Sequence, residues 1–151
     1  MPLNQHSCTC GSLRKASRRV SQFYDAALAP IGIKSTQYSI LSELERSGRN
    51  GGISMCDLAD AMVMDRSTLG HNLRPLQRDK LLSLRLSAHD GRKRLVVLTH
   101  EGKLILRHAR RLWRTAEARF EKVFGKRHAA DLRRMLLDVA GNAELNAVEI
   151  R

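Results

Sequence analysis

Aromatic residues are scarce in this chain. Phe23, Tyr24, Tyr38, Trp113, Phe120 and Phe124 are the whole set, 4% of 151 residues. Proteins that read single strands stack bases on aromatic platforms, so this composition disfavours that class. Cysteine is also sparse: Cys8, Cys10 and Cys56, with no Cys-x-x-Cys pair. An odd count without that spacing indicates neither a disulfide framework nor a zinc cage. His6, Cys8 and Cys10 alternate as soft ligands near one terminus, but three such groups on a short arm make a poor cage, so no metal and no cofactor is expected. Long apolar runs are missing too. No stretch approaches the ~18 uncharged apolar residues that span a bilayer. The segment Met1 to Leu13 lacks the basic-then-apolar order of a secretion signal. The expectation is a cytoplasmic protein with no membrane partner. Catalytic constellations are absent as well: there is no Ser/His/Asp set and no glycine-rich phosphate loop, and His89, His100, His108 and His128 are scattered. An enzyme is not expected.

What the chain has in excess is positive charge. Twenty-seven Lys and Arg stand against 15 Asp and Glu, a formal charge of +12. Neutralising phosphates releases counterions, so such a surplus favours a polyanionic partner. Charge alone leaves duplex DNA, structured RNA or an acidic membrane surface open. Hydrophobic residues make up 42%, enough for a folded core. The length fits one domain, or one domain with an oligomerising arm.

Periodicity organises the chain. Leu13, Ala16, Val20, Phe23, Ala27 and Leu28 recur at helical spacing, and Pro30 and Gly32 stop that helix. A second helix is predicted from Ser35 or Thr36 to about Arg46, ahead of an Asn50-Gly51-Gly52 turn. Ser54 and Asp57 form a capping pair that opens a short third helix. Asp65 caps a fourth, running to about Asp79, whose apolar line is Leu69, Leu73 and Leu76. The period then drops to two. Leu82, Leu84 and Leu86 predict a strand, the segment from Ala88 to Gly91 a turn, and Arg94 to Leu98 a returning strand. Thr99 caps a long helix to about Phe124, and Lys126 to Ala140 forms a last one. The fold class expected is mainly α with a small β-hairpin wing. It is divided as 1–34 (N-terminal arm and first helix), 35–98 (winged helix-turn-helix) and 99–151 (C-terminal helices and tail).

Short helices followed by a hairpin set out a winged helix-turn-helix. A helix fits the ~12 Å major groove of B-DNA if it buries one face and offers small polar and basic side chains on the other. Ser54, Arg66, Ser67, Thr68, His71, Asn72 and Arg74 are the candidates there, and Arg92, Lys93 and Arg94 at the hairpin tip suit backbone or minor groove. Between Arg66 and Arg94 there are eight Lys or Arg and two acids, so half the surplus falls in about a fifth of the chain. The partner expected is double-stranded DNA. A basic protein of structured RNA or the ribosome is the lower-ranked alternative, since it would share the charge and size.

The same residues resemble a family. Asp90-Gly91-Arg92-Lys93-Arg94-Leu95-Val96-Val97-Leu98-Thr99-His100-Glu101-Gly102 resembles the wing signature of MarR-type regulators. Leu58-Ala59, the run Met64 to Leu69 and the run Leu76 to Leu82 resemble their helix-turn-helix. The resemblance implies a homodimeric transcriptional regulator, usually a repressor, whose terminal helices form the dimer and whose operator is palindromic. It also implies that Asp90 braces a wing arginine, Arg92 or Arg94, while the other reaches the minor groove. Two positions depart from the pattern: Gly70 mid-helix, and Pro75, whose missing donor predicts a kink. Dimerisation has independent support, because a helix from Thr99 to Phe124 is ~38 Å long, and its apolar positions Leu104, Leu106, Leu112, Trp113, Ala116, Phe120 and Val123, with Leu132, Met135, Leu136 and Val139 of the last helix, need a partner, in a second copy or in an intramolecular helical hairpin.

Two signals are compatible with such a regulator. In one, a small anionic or aromatic effector (an aromatic acid or an acyl-CoA) enters a crevice lined by Arg18, Phe23, Tyr24, Tyr38, Met62 and Trp113. In the other, Cys10 is an oxidant-sensing thiol. It stands where the resemblance to the peroxide-sensing branch places a reactive cysteine, and Tyr24 where that branch has a tyrosine. That branch's two further tyrosines correspond to Arg14 and Ser35 here. Cys56 is expected to be buried packing.

Overall fold

The computed structural model describes residues 8–48, 51–88 and 90–146. Six helices alternate with three short strands: α1 (Thr9–Leu28), α2 (Ser35–Ser47), β1 (Ile53–Ser54), α3 (Met55–Ala61), α4 (Arg66–Arg78), β2 (Leu82–Leu86), β3 (Arg94–Leu98), α5 (His100–Phe124) and α6 (Lys126–Ala140). The strands form one antiparallel sheet in the order β1-β3-β2. This is the mainly helical fold with a small wing that the hydrophobic periods predict. The chain divides into two compact units, Met1–Trp113 and Arg114–Arg151, with the boundary inside α5.

Each helix start has an identifiable cause. The Cys8 sulfur accepts from the Gly11 amide at 3.4 Å, so α1 begins at Thr9, four residues ahead of its apolar stripe. At α2, Gln37 accepts from the Lys34 amide at 2.8 Å, and Asp25 of α1 accepts from both the amide and the hydroxyl of Ser35 at 2.6 Å. Two donors at the helix start are thereby satisfied, one from within the first turn by Gln37 and one from α1 by Asp25. Between these helices, Ala29–Ile31 forms a 3-10 turn that ends at Gly32 with φ +72°. There the chain reverses through a left-handed conformation that glycine adopts without strain.

The core of the first unit is aliphatic. Leu28, Ile40, Leu41, Leu58, Leu69, Leu76, Val96 and Leu106 are essentially solvent-free and belong to one contiguous cluster. Each such side chain contributes about 1.5–3 kcal/mol through burial, so the short helices α3 and α4 are held by this cluster rather than by their own propensity. Register fixes the wing: Leu82 faces Leu98, Leu84 faces Val96 and Leu86 faces Arg94. The two-residue strand β1 pairs Ile53 with Val96 on the other side of β3.

Close backbone approach joins sheet to helix. Thr99 alone separates β3 from α5. Its amide donates to the Leu81 carbonyl at 3.2 Å and its hydroxyl to the Lys80 carbonyl at 2.7 Å, while that hydroxyl accepts from the Gly102 amide at 3.0 Å. A Cβ at position 102 would lie 2.1 Å from the Leu81 carbonyl oxygen, so only glycine fits there.

The second unit is the outer half of α5 with α6. Arg133 pairs with Glu117 and Glu121, at 3.1 Å to the latter. Phe120 stacks on Phe124, which meets the ring of His128 edge-on. Much of its apolar surface stays open: Val123, Met135, Leu137 and Val139 are exposed. Of the α5 positions, Leu106, Ala109 and Ala116 are buried, while Leu104 is exposed.

Candidate nucleic-acid interface

The two helices of the turn motif are capped by short side chains. The Ser54 hydroxyl accepts from the Asp57 amide at 3.1 Å and donates to the Asp57 carboxylate at 2.6 Å. Asp65 accepts from the Thr68 amide at 2.8 Å and from the Thr68 hydroxyl at 2.6 Å. These two bonds hold the Asp65 carboxyl below its ordinary range, against a small opposing effect of desolvation. The turn between the helices carries a feature the sequence does not signal. Val63 is left-handed, at φ +51°, and its side chain is exposed. A β-branched residue in that conformation is strained.

Helix α4 separates its faces cleanly. Leu69, Leu73 and Leu76 are buried, while Arg66, Ser67, Thr68, His71 and Arg74 are exposed. Asn72 is half-buried and donates to the Thr68 carbonyl at 2.9 Å. Of the polar candidates, Thr68 and Asn72 thus already hold bonds within α4, and Ser54 is the cap of α3. Nothing lies within 4 Å of a Cβ built at Gly70, so this glycine leaves a notch on the helix. The helix runs on through Pro75 to Arg78, where the Asp79 amide reaches the Pro75 carbonyl at 2.9 Å.

Cys56 corrects an expectation. It is exposed rather than buried, and its sulfur accepts from the Arg66 guanidinium at 2.7 Å. Cysteine is usually an interior residue, but the second position of α3 faces the start of α4 rather than the core. No pattern in the sequence joins residues 56 and 66.

At the wing, Arg92, Lys93 and Arg94 are exposed and have no ion-pair partner among the described residues. The Asp90 carboxylate accepts from the Arg92 amide at 3.1 Å, a contact with the backbone and not with a guanidinium. That is an Asx turn, the local bond a short carboxylate makes two residues on. It leaves both guanidiniums directed by the loop alone. The Lys93 amide donates to the Asp90 carbonyl at 2.9 Å and the Ser87 amide to the Lys93 carbonyl at 2.8 Å, which closes the tip. Arg85, on the other wing strand, is also exposed and extends the basic surface beyond the chosen candidates.

Comparison with known proteins matches this arrangement. The MarR family model covers residues 31–93, the turn motif and most of the wing. The transcriptional regulator MosR of M. tuberculosis, solved in complex with DNA, is 32% identical, with a TM-score of 0.81 over 94% of this chain and 100% of that one. This chain belongs to the MarR family. The repressor CouR bound to a 23-mer DNA duplex is 25% identical, with a TM-score of 0.79 over 93% of this chain and 98% of that one. CouR from Rhodococcus jostii RHA1 with p-coumaroyl-CoA, at 20% identity and a TM-score of 0.76 over 93% and 97%, shows likeness of fold alone. No curated protein matches the sequence.

The remaining candidates of this MarR-type regulator fall in two places. Tyr24, Trp113 and Tyr38 form a three-ring stack, with Trp113 in the middle at 4.2 Å from Tyr24 and 4.3 Å from Tyr38. Phe23 meets Tyr24 edge-on. Met62 packs on the core at the end of α3, and Arg18 is exposed on α1 beside Arg14 and Ser17. The structure therefore brings Tyr24, Tyr38 and Trp113 together. Cys10 is exposed in the first turn of α1. Tyr24 stands fourteen positions further along the helix, about 21 Å away, so the two do not meet within one chain. His6, the first residue of the His-x-Cys-x-Cys run, and His89 of the wing turn lie outside the described residues.

Proposed function

We propose that this chain is a homodimeric repressor that binds a palindromic DNA operator and is released by a small anionic or aromatic effector. One observation carries the DNA reading. A helix with its apolar side buried presents Arg66, Ser67, His71 and Arg74, and the wing presents Arg92, Lys93 and Arg94, whose side chains form no ion pair among the described residues. Helix α4 enters the major groove and the wing reaches the backbone or minor groove. Asp90 sets the wing through the Arg92 amide. MosR and CouR were each solved with DNA, which supports the same use of the fold here. The protein acts as a regulator rather than an enzyme, and works in the cytoplasm where its operator is.

In this reading, segments 1–34 and 99–151 dimerise and 35–98 binds DNA. The open apolar side chains of α6, Met135, Leu137 and Val139, are surface that a second copy would cover. A dimer sets its recognition helices about one DNA turn apart, ~34–36 Å. The test is titration of a duplex from the gene's own promoter region at several salt concentrations, with the mass in solution measured alongside. A dimer should bind that duplex tightly with a steep salt dependence. A monomer, or equal affinity for every duplex, would overturn the reading.

A second reading rests on the first turn of α1. Cys8 and Cys10 are both exposed there, and the Cys8 sulfur is the helix cap. Oxidation at Cys10 would unsettle that start and release DNA. Peroxide should then release the wild type but spare Cys10→Ser; equal release of both removes the thiol switch.

A further inference from the structure

Two glycines answer a local need of the fold: Gly32 carries a left-handed turn, and Gly102 sits against the Leu81 carbonyl. Gly70 answers neither. It is the fifth of thirteen residues in α4, and a Cβ built on it meets nothing within 4 Å. Glycine is the poorest helix former after proline. Alanine would hold α4 better, and the fold has room for its methyl.

The hollow this glycine leaves lies among the residues that α4 turns outward. At 3.6 residues per turn, Arg66, Ser67, Gly70 and Arg74 fall within about 100° of arc. Arg66, Ser67 and Arg74 are exposed and Gly70 is half-buried. No side chain closes over the hollow; the Arg66 guanidinium is held to one side by the Cys56 sulfur on α3, at 2.7 Å. The hollow also offers no hydrogen bond. More than a turn inside α4, the backbone amide and carbonyl are both spent in the helical ladder. What position 70 shows to the outside is a bare CH2.

We propose that this hollow seats the C5 methyl of a thymine, which makes Gly70 a specificity-determining position of α4. The assignment rests on the DNA reading above and says what one part of the helix reads. Base edges in the major groove present donors and acceptors, and the thymine methyl is their apolar protrusion. A hollow without donors or acceptors fits that group and leaves the polar edges to its neighbours. Arg66 and Arg74, one turn before and one turn after, carry the donors for them. A side chain at position 70 would stand where the methyl goes.

The test uses a duplex that the full-length wild type selects from a random-sequence pool. Each thymine is replaced in turn by deoxyuridine, which removes the methyl and nothing else. At the thymine that meets Gly70 the replacement should weaken wild-type binding about fourfold, the value of one buried methyl. Gly70→Ala should bind the thymine duplex about tenfold more weakly. It should lose the preference for thymine at that position and keep the wild-type response at the others. In urea melts its midpoint should rise, because alanine is the better helix former, so weaker binding cannot come from a damaged fold. Wild-type affinity in Gly70→Ala, or an unchanged thymine preference, would overturn the assignment. So would a lowered midpoint, which would show that the chain itself fills the hollow. If the wild type selects a duplex in which no deoxyuridine weakens binding, the hollow loses its role and the DNA reading stands. If it selects no duplex, both fall.

Discussion

Arg66 donates to the sulfur of Cys56, and this contact ties the first turn of α4 to the first turn of α3. The thiol is exposed, so the contact can be challenged by chemistry as well as by mutation. In a protein with Cys8→Ser and Cys10→Ser, alkylating Cys56 should lower affinity for the promoter duplex about tenfold or more, since the adduct both frees Arg66 and occupies the groove-facing side. Cys56→Ser keeps an acceptor and should bind within a few-fold of wild type. Full affinity after alkylation would place the DNA elsewhere.

The wing cations should divide by role. Arg92→Ala should weaken binding by roughly 1–3 kcal/mol and relax sequence preference if the guanidinium reads base edges. Lys93→Ala should weaken all duplexes alike and reduce the salt slope by about one. Anisotropy titrations on matched and scrambled duplexes separate the two. If Arg92→Ala leaves affinity unchanged, the wing assignment falls.

Backbone strain makes a third test. Val63 is exposed and left-handed, so Val63→Asn should raise stability by about 1 kcal/mol in urea melts. Gly102→Ala should do the reverse, by about 1–3 kcal/mol, because its new methyl meets a main-chain carbonyl and not a movable side chain. A neutral Gly102→Ala would show that the junction between sheet and helix has slack.

The pH dependence has a definite sign. Hydrogen bonds from the Thr68 hydroxyl and amide hold the Asp65 carboxyl below its ordinary value. At Glu43, burial pushes upward, but bonds from Arg46 and Ser47 outweigh it and the result is also a lowered carboxyl. A carboxyl lowered by folding stabilises the fold above its unfolded value. That contribution is lost as the pH falls through the folded one. Urea midpoints of wild type and Asp65→Asn should therefore converge on acidification, since asparagine keeps the cap without titrating. A constant gap down to strongly acidic pH would contradict this.

The helices were legible because their apolar residues keep helical spacing on a face that the core then buries: Leu69, Leu73 and Leu76 behave as their spacing requires. The wing showed itself by its change of period. What stayed hidden has physical reasons. Strand β1 has two residues, too few to show alternation. Helix α1 starts early because a cysteine sulfur caps it, a role usually filled by oxygen. The ring stack needed partners from α1, α2 and α5 at once, so spacing identified apolar positions but not their neighbours. Cys56 was misread because residue type argues for burial while its place at a helix start decides against it.

The single-residue junction at Thr99 makes sheet and helix one mechanical part. Strand β3 is five residues long, about 16 Å at 3.3 Å per residue. With the hinge seated on Gly102, tilting the start of α5 by roughly 10° would sweep the wing tip through roughly 3 Å. That is about the length of one hydrogen bond. A lever of this ratio turns a small rotation near the hinge into the making or breaking of a groove contact.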